Sequence, residues 1–556
     1  MGTVTLGFYE DRDNLAKQSL GPVARPWGPV LKESAMPEAP YLLGIDYGTG
    51  GVRVGVFDRD GSPVDFESVD IPTRYSQPGC AEQDPAAWWS ALVQAVRKVL
   101  AKRQVHADQI AGISAGATSA TVVAMDDQAR PLRPAIMWMD LRASDQADRV
   151  ASTKNPALKY NGHGPVSAEW GVPKVMWLKE NEPATWRNAA HVVDGEDWLI
   201  QRLTGRWAAS INIAASKYYY DRATGGFPEK MFRDVGIEDL LEKYPSDVLD
   251  LGAVVGGLRA DVAKEFGLNA DIPVAEGGVD AYMGALGLGV VEPGKMAMIT
   301  GSSHVMIGQS AEPIYGAGFW GAYTDALVRG QYTVEGGQAS TGSLVAWFKN
   351  GYAGYQVAEA KKRGIDPYLV LNEQAVKVPI GCDGLVALDY FQGNRSPHTD
   401  PLARGMLWGL SLGHTPGHVF RALLESICYG TETVFQAMRS SNFEPQQIIV
   451  SGGPTKSDLW MQMHSDVSNM PIAMTKVSEG PVLGSAMLAA VGAGIYPDIQ
   501  SAAEGMVHTD RVVEPDHARH EEYAFYLDKY IRSYPAMKDL VHETVRHLGG
   551  GDPAGT

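Results

Sequence analysis

The sequence predicts an α/β chain built as two half-domains facing a cleft, and three observations predict it. Asp46-Tyr47-Gly48-Thr49-Gly50-Gly51 is a glycine-rich turn that leads into an alternating strand over residues 52–57. Much later in the chain, Thr300-Gly301-Ser302-Ser303 leads in the same way into residues 304–308. Between them, Glu276-Gly277-Gly278-Val279-Asp280 sets an acid on a glycine turn of its own. Glycine, having no Cβ, lets main-chain N–H groups come within hydrogen-bond reach of phosphate oxygens. Two such turns and two acids suit a cleft that holds a nucleotide between paired halves and passes its phosphate to a hydroxyl.

Each element has a local reason. Tyr41-Leu42-Leu43-Gly44-Ile45 reads as a buried strand, and Asp58-Arg59-Asp60-Gly61 turns the second strand into a third. Asp84-Pro85 opens a helix as cap and first-turn proline, with Trp88, Trp89, Leu92, Val96, Val99 and Leu100 as its apolar stripe. Residues 110–114 and 121–125 read as further strands, and this interleaving argues for an α/β half-domain. Around Asp271-Ile272-Pro273-Val274-Ala275 the pattern restarts with a strand, a glycine turn, a short helix over 281–288 and a hairpin ending near 308. Long helices follow over 415–438, with Val419, Leu423, Ile427, Thr431 and Val434 on one face, and from 484 to 491. This is a duplicated plan with divergent sequence, not a short-period repeat. The expected division is an N-terminal extension over 1–40, domains over 41–275 and 276–510, and C-terminal helices with a glycine-rich tail over 511–556.

Composition excludes several classes. A chain of 556 residues is too long for one core. Its 45% hydrophobic and 20% charged residues are those of an ordinary globular protein. A formal charge of -17 argues against nucleic acid as the main partner. It leaves a nucleotide substrate open, because glycine turns and a metal bind phosphate without net positive charge. Cys80, Cys382 and Cys428 are too far apart to form a metal-ligand pair and fit reduced thiols in a cytoplasmic protein. No apolar run approaches the roughly 18–20 residues that span a bilayer. A Walker-type G-x-x-x-x-G-K-[ST] loop is absent, and Glu292 stands where a dinucleotide fingerprint needs its third glycine. No G-x-S-x-G elbow occurs, and His542 and His547 are spaced wrongly for paired zinc ligands on a helix.

Single motifs keep two readings. Asp46 lies at the end of a buried strand and needs a partner, which a hydrated Mg²⁺ bridging phosphate oxygens would supply; the turn Gly48, Thr49, Gly50 could also be a plain hairpin. Arg53 stands on the adjacent strand within reach of a phosphate. Asp280 precedes Ala281-Tyr282-Met283-Gly284 and reads as a helix cap or as a general base accepting a hydroxyl proton. Glu335-Gly336-Gly337-Gln338 and Ser451-Gly452-Gly453-Pro454-Thr455 are further glycine turns after strands, the second leading into a helix as an adenosine site requires. Lys217 is by default a solvated lysine.

Taken together the motifs resemble the FGGY carbohydrate kinases, from about residue 41 to about residue 495. The most specific stretch is SPHTDPLARGMLWGLSLGHTPGHVFRALLESICYGTETVFQAM, followed by IIVSGGPTKSDLWMQMHSDVSNMPI, similar to the family's adenosine-binding segment. AIMWMDLRA, AASKYYY, VEGGQASTGSLVAWF and ALDYFQGNRSP resemble the ribulokinase branch. At the other sugar-facing loop Ala117-Thr118-Ser119 replaces the Arg-Glu pair of glycerol kinases, which argues against glycerol. Pro454 departs from the family's usual adenosine turn, and the first forty residues match no family segment.

The resemblance implies two actin-like, ribonuclease H-like ATPase domains flanking a central cleft, as in the hexokinase and actin superfamily. It implies Asp280 as base, with Lys217, Glu335, Ala117 and Thr118 facing the sugar. Gly48, Thr49, Gly50, Arg53, Gly301, Ser302, Ser303, Gly337, Gln338, Gly452 and Gly453 would meet ATP, and Asp46 would hold Mg²⁺ through water. The expected substrate is a small sugar or polyol, foremost ribulose phosphorylated at its terminal hydroxyl; ribitol, erythritol and xylulose stay open, as does a homodimeric assembly. A sugar-independent actin-like ATPase and a two-carboxylate glycosidase are the competing classes.

Overall fold

The structure is a computed structural model and describes residues 40–103 and 105–548. Expectations placed on residues 1–39 and on the glycine-rich tail lie outside the described residues.

Two sheets dominate. The first is formed by β1 (Tyr41–Gly48), β2 (Gly51–Phe57), β3 (Pro63–Asp70), β4 (Ile110–Ala117), β5 (Val254–Gly257) and β6 (Pro273–Val279), in the order β5-β6-β4-β1-β2-β3. The second is formed by β7 (Lys295–Thr300), β8 (His304–Ser310), β9 (Trp320–Thr324), β10 (Tyr332–Gln338), β11 (Gln447–Gly452), β12 (Ile472–Thr475) and β13 (Thr509–Val513), in the order β9-β10-β8-β7-β11-β12-β13. Segments β3-β2-β1-β4-β6 and β10-β8-β7-β11-β12 repeat one plan. An antiparallel trio opens on a glycine hairpin, its first strand pairs in parallel with the fourth strand of the plan, and that strand pairs in parallel with the fifth. The expected duplication is therefore present, with Gly48–Gly51 and Gly301–Ser303 at equivalent hairpins.

Helices cover the sheets: α1 (Pro85–Arg103), α2 (Gly195–Thr204), α3 (Ile211–Tyr218), α4 (Asp280–Gly287), α5 (Gly342–Tyr352), α6 (Pro416–Arg439), α7 (Asp458–Ser468), α8 (Gly480–Gly492) and α9 (His517–His547). The α1 start is as expected, with the Asp84 carboxylate accepting from the Ala86 N–H at 2.9 Å.

Three boundaries differ from the expectation. Strand β6 crosses the expected 275/276 division and closes the first sheet. The strand near 121–125 forms as Val122–Met125 but joins a separate four-stranded sheet with His191–Asp194, because the turn at Thr118–Thr121 carries the chain away from β4. The C-terminal segment is β13, an edge strand of the second sheet, followed by one 31-residue helix, where several helices were expected.

The halves meet through α4 and α8. A cluster of buried side chains runs from Leu42 and Phe57 of the first sheet through Met283, Val482 and Ala486 to Ile449 and Ala473 of the second. Helix α8 packs backbone to backbone: a Cβ at Gly484 would lie 1.9 Å from the Met283 carbonyl oxygen, and one at Gly44 would lie 2.1 Å from that of Val482. The Ser485 hydroxyl donates to the Ile45 carbonyl at 2.9 Å, beside Asp46. Gly484→Ala is therefore expected to force α4 and α8 apart, at a cost of about 1–3 kcal/mol in stability. Thermal unfolding checks the loss, and a variant as stable as the parent would contradict this contact.

Candidate functional site

Asp46 lies on β1 in register with Arg53 of β2 and Gly116 of β4. Its Oδ1 is buried without a hydrogen-bond partner among the described residues. Burial, and after it the negative charge of Asp280, pushes its pKa up to about 8. An orphaned buried carboxylate oxygen facing a second acid is a place that a hydrated cation fits. Arg53 does not hang free toward a phosphate: it is ion-paired with Glu479, the residue before α8, and its Nε donates to Ser68 Oγ at 3.1 Å. The turn after Asp46 is fixed from behind. Trp138 Nε1 donates to Thr49 Oγ1 at 2.9 Å and Gln83 Nε2 to the Thr49 carbonyl at 2.8 Å. A Cβ at Gly50 would meet nothing within 4 Å, so the outer side of the turn stays open.

Asp280 is the first residue of α4, where β6 ends, one position past the N-cap Val279. Its carboxylate accepts from the Ala281 N–H at 2.7 Å, as a helix start favours. It is half-buried and faces Asp46, Lys217 and Glu335. Burial pushes its pKa up to about 7, opposed by the Ala281 N–H and the Lys217 charge and reinforced by Glu335. Asn212 of α3 sets the approach: its Oδ1 accepts from the Val279 N–H at 2.9 Å and its Nδ2 donates to the Ala326 carbonyl at 2.7 Å.

Lys217, also on α3, is not solvated. It is 5% exposed, lies 5.6 Å from the Trp170 ring and 5.4 Å from the Trp320 ring, and donates to Glu335 Oε2 at 3.1 Å. Tyr282, the third residue of α4, donates to the same oxygen at 2.9 Å. Ala117 and Thr118 are buried at the end of β4; the Thr118 N–H donates to the Tyr47 carbonyl at 3.0 Å, which places them against the first glycine turn.

Beside the second hairpin lies a cavity of about 660 Å³, lined by Gly301, Ser302, Tyr368, Gly453, Lys456 and Trp460 among others. Its size and mixed lining suit a nucleoside. Gly301 and Gly453 face it with no atom within 4 Å of a would-be Cβ. Ser303 closes the hairpin by accepting from the Gly301 N–H at 2.9 Å.

Of the expected ATP contacts, Gly301, Ser302 and Gly453 line this cavity and the others do not; three of those are engaged elsewhere in the second half. Gln338 is 3% exposed; its amide donates to Asp389 and to the Ile427 carbonyl, both at 2.9 Å, and accepts from Thr431 at 2.8 Å. Gly337 sits inside β10, its N–H donating to Ser396 Oγ at 3.4 Å. Gly452 has φ 110° and would place a Cβ 1.8 Å from the Thr300 carbonyl, so it serves the junction of β11 and β7.

Sequence reasoning missed Trp138 as a ligand of Thr49, Glu479 as the partner of Arg53, and Tyr368, Lys456 and Trp460 in the cavity. Only Lys456 carried a local signal, as the basic residue closing the Gly453-Pro454-Thr455 turn. It also missed a buried acid group behind β6, where Glu196, Asp197 and Glu276 approach within 4.8 Å of one another and burial raises all three pKa values.

The N-terminal domain of the FGGY family of carbohydrate kinases matches residues 41–287, and its C-terminal domain matches residues 296–493. An FGGY carbohydrate kinase domain-containing protein of Xenopus laevis is 33% identical, with 89% of this chain and 95% of that protein covered. A ribulokinase of Shouchella clausii is 31% identical, with 92% of this chain and 99% of that protein covered. The crystal structure of a xylulose kinase from Rhodospirillum rubrum superposes with a TM-score of 0.81 at 28% identity, covering 90% of this chain and 100% of that one. The expectation of two actin-like α/β domains around a cleft is thus borne out. With both domains matched across most of its length, this chain belongs to the FGGY family of carbohydrate kinases.

Proposed function

We propose that the chain transfers the γ-phosphoryl group of ATP to the terminal hydroxyl of a ketopentose, foremost ribulose, giving ribulose 5-phosphate and ADP. The observation that carries this reading is the desolvated Lys217–Glu335 pair beside Asp280, closed in by Trp170, Trp320 and Tyr282. Such a pair offers a donor and an acceptor to neighbouring sugar oxygens while the carboxylate of Asp280 takes the reacting hydroxyl.

In this reading Lys217 and Glu335 orient the sugar, and Ala117 and Thr118 close the pocket with small side chains. Asp280 accepts the hydroxyl proton as the hydroxyl oxygen bonds to the γ-phosphorus and the bond from that phosphorus to the bridging oxygen breaks; ADP leaves with the electron pair. The hairpins at Gly48, Thr49, Gly50 and at Ser302 present main-chain N–H groups to phosphate oxygens, and Gly301, whose own N–H is used by Ser303, keeps the approach clear of a side chain. Gly453, Lys456 and Trp460 border the adenosine. Asp46, with its orphaned oxygen, would hold Mg²⁺ through water. When bound, that ion would neutralise charge on the phosphates. Arg53 reaches a phosphate only by leaving Glu479. Cytoplasmic residence, where ATP is at hand, accords with the three free, buried cysteines. A second reading, a kinase for xylulose, is favoured by the likeness to the Rhodospirillum rubrum xylulose kinase.

Measuring ADP release over D- and L-ribulose, D- and L-xylulose, ribitol, erythritol and glycerol tests the substrate. Ribulose is expected to give the highest kcat/KM; a preference for xylulose transfers the conclusion to the second reading, and ADP release without any sugar would end both. Asp280→Asn is expected to lower kcat by about 10²–10⁴-fold with ATP binding retained. Because the Asp280 pKa is raised to about 7, its proton must be lost before it can act, so kcat/KM is expected to climb between about pH 6 and 8. A flat profile over that window would remove Asp280 as the base. Lys217→Met and Glu335→Gln are each expected to raise KM for the sugar at least tenfold while KM for ATP stays within about twofold, as initial rates at varied substrate would show.

A further inference from the structure

Lys174 is among the most buried cations of the described chain, at 0% exposure. It lies on the helix Gly171–Asn181. Among the described residues its Nζ makes no ion pair within hydrogen-bond distance. Instead it donates to three main-chain carbonyls, those of Ala120 at 3.0 Å, Trp138 at 2.7 Å and Glu169 at 3.1 Å. An ammonium has three N–H groups, and all three are used.

The three carbonyls belong to three separate segments, and each segment borders the cleft. Ala120 closes the turn that follows Ala117 and Thr118, and it is held at φ 50°, a conformation an alanine keeps only under outside constraint. Trp138 carries the indole that fixes the Thr49 hydroxyl in the first phosphate turn. Glu169 reaches across to Arg395 of the second half at 3.6 Å, and the next residue, Trp170, forms one wall of the Lys217 site. Loops have few contacts of their own to fix them. Here the sugar loop, the phosphate turn and the interlobe arm are tied to one point.

A packing role does not account for this choice of residue. A buried ammonium is costly unless fully bonded, and an apolar chain of equal length would fill the same space without that cost. We propose that Lys174 is a positioning residue whose three hydrogen bonds hold the sugar loop, the first phosphate turn and the Glu169–Trp170 arm in mutual register, so that sugar and nucleotide sites form together. The inference rests on the sites assigned under Proposed function.

Lys174→Met keeps volume and removes all three bonds. KM for the sugar and KM for ATP are both expected to rise at least tenfold, with kcat falling at least tenfold. Val175→Ala, a buried neighbour on the same helix, serves as the stability control. It is expected to lower the thermal midpoint while leaving both KM values within twofold. If Lys174→Met keeps both KM values within twofold, or if the two variants lose activity in the same proportion to their loss of thermal midpoint, the positioning role is overturned. Should Lys174→Met give no soluble protein, Lys174→Gln, with two donors left, is measured in the same way against the same criteria. Asp280→Asn, assayed in parallel, separates the two conclusions: it is expected to lose kcat at unchanged KM. Full activity there would overturn the site reading while leaving the Lys174 result to stand on its own.

Discussion

The backbone of α8 lies directly against the backbones of β1 and α4, with no side chain between them. Gly484 at the Met283 carbonyl and Gly44 at the Val482 carbonyl are where that approach is closest. Helix α8 comes from the second half of the chain, yet it covers β1, β4 and β6 of the first sheet. The depth to which it sinks sets where β1 ends and where α4 begins, and those two ends carry Asp46 and Asp280. Glu479, immediately before α8, meets Arg53 of β2, which extends the same junction to the strand after the first glycine turn. Bulk at the glycines would separate the two acids before it reached any substrate contact.

The charge arrangement follows from that geometry. Lys217 and Glu335 neutralise each other, and Arg53 is matched by Glu479. Asp46 and Asp280 keep a raised affinity for protons: burial is the main cause at both, the Asp280 charge adds to it at Asp46, and Glu335 adds to it at Asp280 against the pull of Lys217. A site in this state gains from any positive charge placed near Asp46, and Asp280 needs only near-neutral pH to ionise. Under the proposed reading a chain of net charge -17 can hold a polyphosphate, because binding would rely on N–H groups and a local cation and the overall field would play little part.

Much of this was readable along the chain because it is written in local patterns. Both glycine hairpins, the start of α1, the long helix α6 and the acid at the start of α4 depend on residues within one turn of each other, and all appear where the sequence places them. Lys217 and Glu335 were legible only through family resemblance, since a lysine in Ala215-Ser216-Lys217-Tyr218 has no local mark of burial. Lys174 was invisible for a different reason. Its partners are carbonyl oxygens, which every residue possesses, so no pattern of side chains announces them. The division at 275/276 was misplaced because a glycine turn was taken as the start of a domain, whereas β6 belongs by pairing to the sheet before it.

The glycine turn at Gly336-Gly337-Gln338 shows why a motif and its role can separate. Gln338 resembles a ligand contact in sequence, yet every hydrogen-bonding group of its amide that the fold engages is directed at α6 and at Asp389. Asp389 in turn accepts from Tyr530 of α9 at 2.6 Å. Helix α9 lies beyond the residues matched by either family domain. The strand carrying Glu335 is thus braced from behind, through Gln338 and Asp389, by the C-terminal helix. Three positions from Glu335, Gln338 thus matters by fixing the strand's position, a role that its near-complete burial suits. The same logic separates Gly452 from Gly453: the first is needed where two strands meet, and the second is left open toward the cavity.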